Sequence, residues 1–584
     1  MASHDSSVRV RGPRRRGVLA GRRPAGLVLV TAVLCHLVAM RVTPLAAAEY
    51  TWTGGSGTWN TTAARWIGPG PQWVNSATNS AVFGGANSSV VVLDPFGNNI
   101  VAGGVTFTAS NVTISATSAR RLALESFSFS VQPFIAVDAD RATLAATIAS
   151  SNGLLKTGDG ELLLSGSNAI SGIVRPVEGR LTLRNVNALA GSQLDMNLAD
   201  GGEVGFALPG AQIYSIGSVT GSRDVRLGGN TLLLSGGDYA GMFTDGQIRL
   251  RQGTFTVRNP DALAFATLDM NSLDAGGITT AASGTVALGG LRGSRNLSLT
   301  NNTTTLLVGG NDQSTTYSGT LAMSRLVKTG TGTLVLAGSA AYAGPVRIDA
   351  GLLGLGHVNS LANATVDMSA DDAGALAFLV PGRQTYQIGG LAGSRNIEFA
   401  DNTLAIGGGT FAGVLSGDGG SLWKVGTGTL DLRAPGAFTG TTRVSGGILR
   451  LTDRQALAGS VLDMNAADVG SLQVATSGTQ PYSIGGLKGA RNLDLRSPSP
   501  VVLAIGGNDQ STTYSGTVFA AGFVKTGTGT LTLASGSAIG LTTGNVLRIN
   551  AGVLGLGHVN SLANATVDMS ADDAGALALS LIHI

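Results

Sequence analysis

Along most of this chain, apolar residues fall at every second position in runs of about four to eight, broken by Gly, Asn, Asp and Ser. That is the period of a half-buried β-strand, and the punctuation is that of turns. The clearest run, KTGTGTLVL from Lys328 to Leu336, recurs as KTGDGELLL from Lys156, KVGTGTLDL from Lys424 and KTGTGTLTL from Lys525. Each copy sets two glycines one residue apart ahead of an alternating strand, so the phrase predicts a turn feeding a strand. The lysines are 172, 96 and 101 residues apart, and the first gap, nearly double the others, holds a degenerate unit.

Two further segments accompany the lysine turn. One runs GPVRIDAGLLGLGHVNSLANATVDM from Gly344, with Asp367 before its methionine, and its relatives from Gly172, Gly246, Gly440 and Gly544 carry Asp195, Asp269, Asp463 and Asp568 in the same place. The other runs YQIGGLAGSRNIEF from Tyr386, and its copies carry Arg223, Arg295, Arg395 and Arg491. Only the xALAxS stretches hint at a helical turn. Gly354 to Ala377 and Gly555 to Ala578 match residue for residue, as do Gly309 to Thr320 and Gly506 to Thr517. Their offsets differ by an insertion near Ser535 to Gly544, which predicts a surface loop. Copied units at a fixed period override a domain count based on length, because stacked repeats share one core.

The repeats begin near residue 151 and continue to residue 584. Residues 49 to 150 precede them and open on YTWTGGSGTWNTTAARW, which holds Trp52, Trp59 and Trp66, with Trp73 close behind. Such a cluster reads either as sugar-stacking platforms or as an aromatic cover for the first edge of a β stack. The second reading is preferred, since an open edge invites association. Residues 1 to 48 combine eight arginines, an apolar run from Leu27 to Met40 and small residues ahead of Glu49, the layout of a signal peptide. The single cysteine, Cys35, lies in this leader, so no disulfide is expected in the exported chain. At the other end the last unit departs from its twin after Ala578 into LSLIHI, and the chain is expected to be a fragment truncated at its C-terminus.

Composition narrows the partners. Glycine supplies 87 of 584 residues and charged residues only 12%, while 43% are apolar, too many for a disordered chain. The formal charge of +3 resides in the leader, so the remainder is mildly acidic and a nucleic-acid partner is not expected.

The KTGTGTLxL turn, the xALxxxxLDM segment and the WTGGSGTWN opening together resemble the autotransporter-associated β-strand repeat proteins, also called passenger-associated transport repeat proteins. That resemblance implies an all-β fold, a right-handed parallel β-helix, exported to the bacterial cell surface or beyond. It also implies an outer-membrane barrel or other surface anchor beyond the truncated end.

Several residues imitate chemical sites. Lys328 with Gly330 and Gly332 has the order of a phosphate loop reversed, and no helix follows. Asp371–Asp372 and Asp572–Asp573 are adjacent, so the pair cannot face one substrate from a strand, and a solvated turn is expected. GGNDQSTTYSG offers one acid per unit, Asp312 or Asp509, too few for a calcium repeat. His357, His558 and His583 lack companions for zinc. No catalytic, cofactor-binding or metal residue is therefore expected, and the chain is read as a non-enzymatic adhesin or surface structural rod whose partners are glycans or a host or neighbouring cell surface. The alternative is a carbohydrate-active β-helix enzyme, which would show an acidic or basic cluster that breaks the repeat.

Overall fold

The computed structural model describes residues 48–579 apart from 93–96, 118–120, 127, 129–130, 282–283, 300–303, 476–477, 497–500, 535, 542–545, 564 and 571–572. The leader with Cys35, the Asp-Pro turn of the N-terminal region, Asp572, His583 and the LSLIHI tail beyond Leu579 lie outside the described residues. Among those described, every regular element is a strand, and the strands stack into a parallel β-solenoid of about 22 turns.

The alternation seen in the sequence becomes a coil with three walls. In the first, Leu326 lies opposite Val346 and Val346 opposite Val366, 20 residues apart at each step. In the second, Leu334 lies opposite Leu353 and Leu353 opposite Leu376. The third is marked by the Leu321 amide donating to the Ala341 carbonyl in the next coil. The inward positions Leu326, Leu334, Val346, Leu353 and Val366 are all buried. Each contributes about 1.5–3 kcal/mol relative to an exposed side chain, and the backbone groups are satisfied by the coils above and below.

The repeating unit is not a whole number of coils. Strand Leu361–Met368 runs straight through a corner: Leu361 faces Ile388 but Thr365 faces Gly390, so two extra residues are absorbed between them. Strands Leu189–Met196, Leu263–Met270 and Leu457–Met464 shift in the same way. Following partners from Leu361 leads through Ile388 and Ile406 to Lys424. The wall that holds Lys328 instead continues through Ile348 and the Val366 end of the corner strand to Gly393 and Phe411. Equivalent residues of successive units therefore sit on successive walls. The helical turn hinted at by xALAxS is a corner turn closed by the Ala362 amide on the Asn359 carbonyl, and the chain then re-enters a strand.

At the N-terminal end, strand Glu49–Trp52 pairs in parallel with Ser76–Phe83 and antiparallel with Trp66–Ile67, the one antiparallel pairing among the described residues. Tyr50, Trp52, Trp59, Trp66 and Trp73 are all buried, with Trp59 and Trp73 centroids 5.0 Å apart and Trp52 and Trp66 also 5.0 Å. Rings that bury one another have no free face for a sugar, so this end is an aromatic plug. The insertion near Ser535 is more than a loop: Ala538–Leu541 forms a strand that pairs with Thr517–Ala520.

Candidate functional site

The lysine that opens each repeat phrase points inward. Lys328 shares strand parity with Leu326 and is 1% exposed; Lys156, Lys424 and Lys525 are fully buried. Its Nζ donates to the carbonyls of Thr329 at 2.5 Å and Gly330 at 2.9 Å in its own turn, and to Ala350 at 3.2 Å in the next coil. The same three-carbonyl clamp recurs at Lys156, Lys424 and Lys525. Three donors on three acceptors satisfy a buried ammonium without a carboxylate contact. Burial pushes Lys156 down to about 8, against the pull of Glu178, Asp138 and Asp159, and moves the other three in the same direction. Both glycines of the phrase serve this turn. Gly330 has φ +63°, and a Cβ on Gly332 would lie 2.6 Å from the Asp312 and Gln313 carbonyl oxygens of the preceding coil.

The remaining repeated charges are also used between coils. Arg175, Arg249, Arg347, Arg443 and Arg548 each pair with an aspartate 25 residues on: Asp200, Asp274, Asp372, Asp468 and Asp573. The Arg347 fork is bidentate, at 2.9 and 2.6 Å. Asp372 is therefore not the solvated residue expected; its side chain is 4% exposed and bound to Arg347, while Asp371 alone faces solvent. Arg395 donates to the Ser369 carbonyl and, two coils back, to that of Ile348. Arg223 makes the equivalent contacts to the Asn197 and Pro176 carbonyls. None of these groups was legible as paired from a single copy, although the constant interval of 25 was present five times.

Asp312 and Asp509, the acids of the GGNDQ phrase, accept the Thr331 and Thr528 amides at 2.6 Å, which holds both carboxyls below the usual carboxylate range. Each carboxylate is thus a turn cap. The His357 and His558 Nδ1 atoms accept the amides of Asn359 and Asn560. Among the described residues, no group of three or more His, Cys, Asp and Glu could hold a metal ion.

An open groove of about 370 Å³ lies where the GGNDQS loop overhangs a corner strand. Gln247, Thr267 and Asp269 form one side, Arg292 and Gly293 the floor, and the loop residues Gln313 and Ser314 with Thr315 and Thr316 of the strand that follows form the other side. Asp269 lies opposite Arg292 in the ladder and 3.3 Å from it; the carboxylate is 4% exposed and the guanidinium 47%. The arrangement recurs two units on. Asp463 lies opposite Lys488 at 3.6 Å, and Gly489 is opposite Tyr514 just as Gly293 is opposite Tyr317, beneath an identical loop. In the units without the loop, the positions of Arg292 and Lys488 hold Thr220 and Ala392.

Comparison with known proteins agrees with this architecture. Residues 154–174, 326–355, 422–451 and 523–556 match the passenger-associated-transport-repeat. All four spans contain a lysine clamp. Over 231 residues, 38% of this chain, the sequence is 30% identical to an adhesin autotransporter, BmaC, of Brucella suis biovar 1 (strain 1330). The match covers 6% of that protein's length. No solved structure gives a significant match.

Proposed function

We propose that this chain, a passenger-associated transport repeat protein, is the exported, autotransporter-passenger-like part of a bacterial adhesin. It acts as a non-enzymatic rod that presents repeated contacts at the cell surface. The observation that carries this reading is the internal use of the repeated charges. The lysines clamp turns, the corner arginines hold carbonyls, and the five arginine–aspartate pairs tie strands to turns, which leaves a stiff scaffold whose outer surface repeats. Repetition turns weak single contacts into useful avidity, and the one-wall step between units distributes those contacts around the stack. A partner can then be met from several directions.

Beads coated with the purified chain at graded density test the reading. Retention on cell monolayers or on neighbouring bacteria should rise more steeply than linearly with density, and excess soluble chain should inhibit it. Retention no better than that of albumin-coated beads would refute an adhesive role.

A further inference from the structure

We propose that the two loop-bearing grooves, at Arg292 and at Lys488, are binding sites for an acidic saccharide, and this rests on the adhesive reading above. In each groove the accessible charge is positive: Arg292 is 47% and Lys488 42% exposed, whereas Asp269 and Asp463 are 4% and 19%. The aspartate lies behind the cation and orients it. Around that cation stand groups suited to sugar hydroxyls: the Gln313 amide and the hydroxyls of Ser314 and Thr316, all exposed, repeated as Gln510, Ser511 and Thr513. Gly290 leaves space between the Thr267 and Thr315 side chains, and Gly486 between those of Val461 and Thr512.

Within one chain the cation and the loop occur together or not at all. Where the loop is missing, the cation is replaced by Thr220 or Ala392. A cation needed only for stacking would have no reason to follow the loop. A carboxylate on the guanidinium or ammonium, with adjacent hydroxyls on the loop, describes a uronate or a related acidic sugar. The two copies are not equal. Thr267 receives the Asn311 Nδ2 hydrogen at 3.0 Å, but Val461 stands in its place in the second groove and Asn508 Nδ2 is buried without a partner there. The second groove therefore lacks the bond that fixes this asparagine in the first.

Isothermal titration of the purified chain with tetragalacturonate, its methyl ester and a tetra-aspartate peptide tests the assignment. Two sites per chain are expected for tetragalacturonate, with at least tenfold weaker binding of the ester and of the peptide, and weakening as sodium chloride rises. R292Q or K488Q alone should reduce the stoichiometry to one, and the double variant should abolish binding. Gln313→Ala with Thr316→Ala, and the matching pair Gln510→Ala with Thr513→Ala, alter only exposed side chains and should each weaken one site at unchanged melting temperature. Equal binding of ester and acid, equal binding of the peptide, or undiminished binding by the double charge variant would overturn it. If the grooves fail while coated beads still adhere, only this assignment falls; if the grooves bind and the beads do not adhere, the adhesive reading falls.

Discussion

Replacing Lys328 by methionine removes one ammonium while leaving the three carbonyls it holds, those of Thr329, Gly330 and Ala350. Methionine keeps the volume and the apolar stem, so no cavity opens. Each hydrogen bond from a charged donor contributes about 1.5–3 kcal/mol. Against their loss stands relief from burying a charge, worth several kcal/mol. Because the acceptors are backbone and cannot be removed with the donor, the balance favours destabilisation by about 3 kcal/mol. In a stack of coils that touch only their neighbours, the damage stays local. At about 1.4 kcal/mol per factor of ten, local opening rises on the order of a hundredfold. Hydrogen exchange followed by mass spectrometry should show that loss of protection over residues 309–355, with residues 422–451 around the intact Lys424 clamp unchanged. Unaltered exchange in K328M, or an equal loss along the whole stack, would refute the reasoning.

Arg347→Met leaves Asp372 buried without its fork, and thermal melts should show a loss of about 1–3 kcal/mol that Asp372→Asn added to it partly restores. Asp312 and Asp509 have lowered folded-state values, so their stabilisation is present above the ordinary value of 3.8 and is lost as pH falls through the lowered ones; acid melts of the double Asp→Asn variant should lack that loss. Lys156 is lowered to about 8 from 10.5, so between those values the unfolded chain retains a proton the folded chain has released. Unfolding free energy should therefore rise with pH across that window, and the rise should be absent in Lys156→Met. Trp59→Ala opens the aromatic plug at a cost of about 3–5 kcal/mol, and size-exclusion chromatography should show self-association through the uncovered first edge.

The period of two and the glycine turns carried the strands and the stacking into plain view, and the tryptophan cluster carried the plug. What the sequence hid was long-range in three dimensions. Parity alone placed Lys328 on the face of Leu326, but which carbonyls it meets depends on the coil length, here 20 residues, that brings Ala350 alongside. The pairing of Arg347 with Asp372 was recoverable from the recurring interval of 25 residues, yet a reading of Asp371–Asp372 as one motif obscured it. The corner strands were the least legible. Nothing in LANATVDM announces that Leu361 and Val366 belong to different walls, because the two absorbed residues only become visible against the strand opposite. The groove, likewise, exists only where the loop of one coil overhangs the strand of another.

The units stack in parallel and step by one wall each, and labels on the two identical loops report on both features at once. The only cysteine of the sequence is Cys35 in the leader, so Ser314→Cys with Ser511→Cys in a Cys35→Ser background gives two defined sites for spin labels. Tracing partners from Leu263 to Met464 gives about ten ladder steps less two corner set-backs, so at about 4.8 Å per coil the loops lie about 45 Å apart along the stack and on different walls. Pulsed electron resonance should give a single narrow distance distribution centred at about 45–50 Å; a broad distribution, or a peak below about 35 Å, would contradict the parallel, wall-stepping stack.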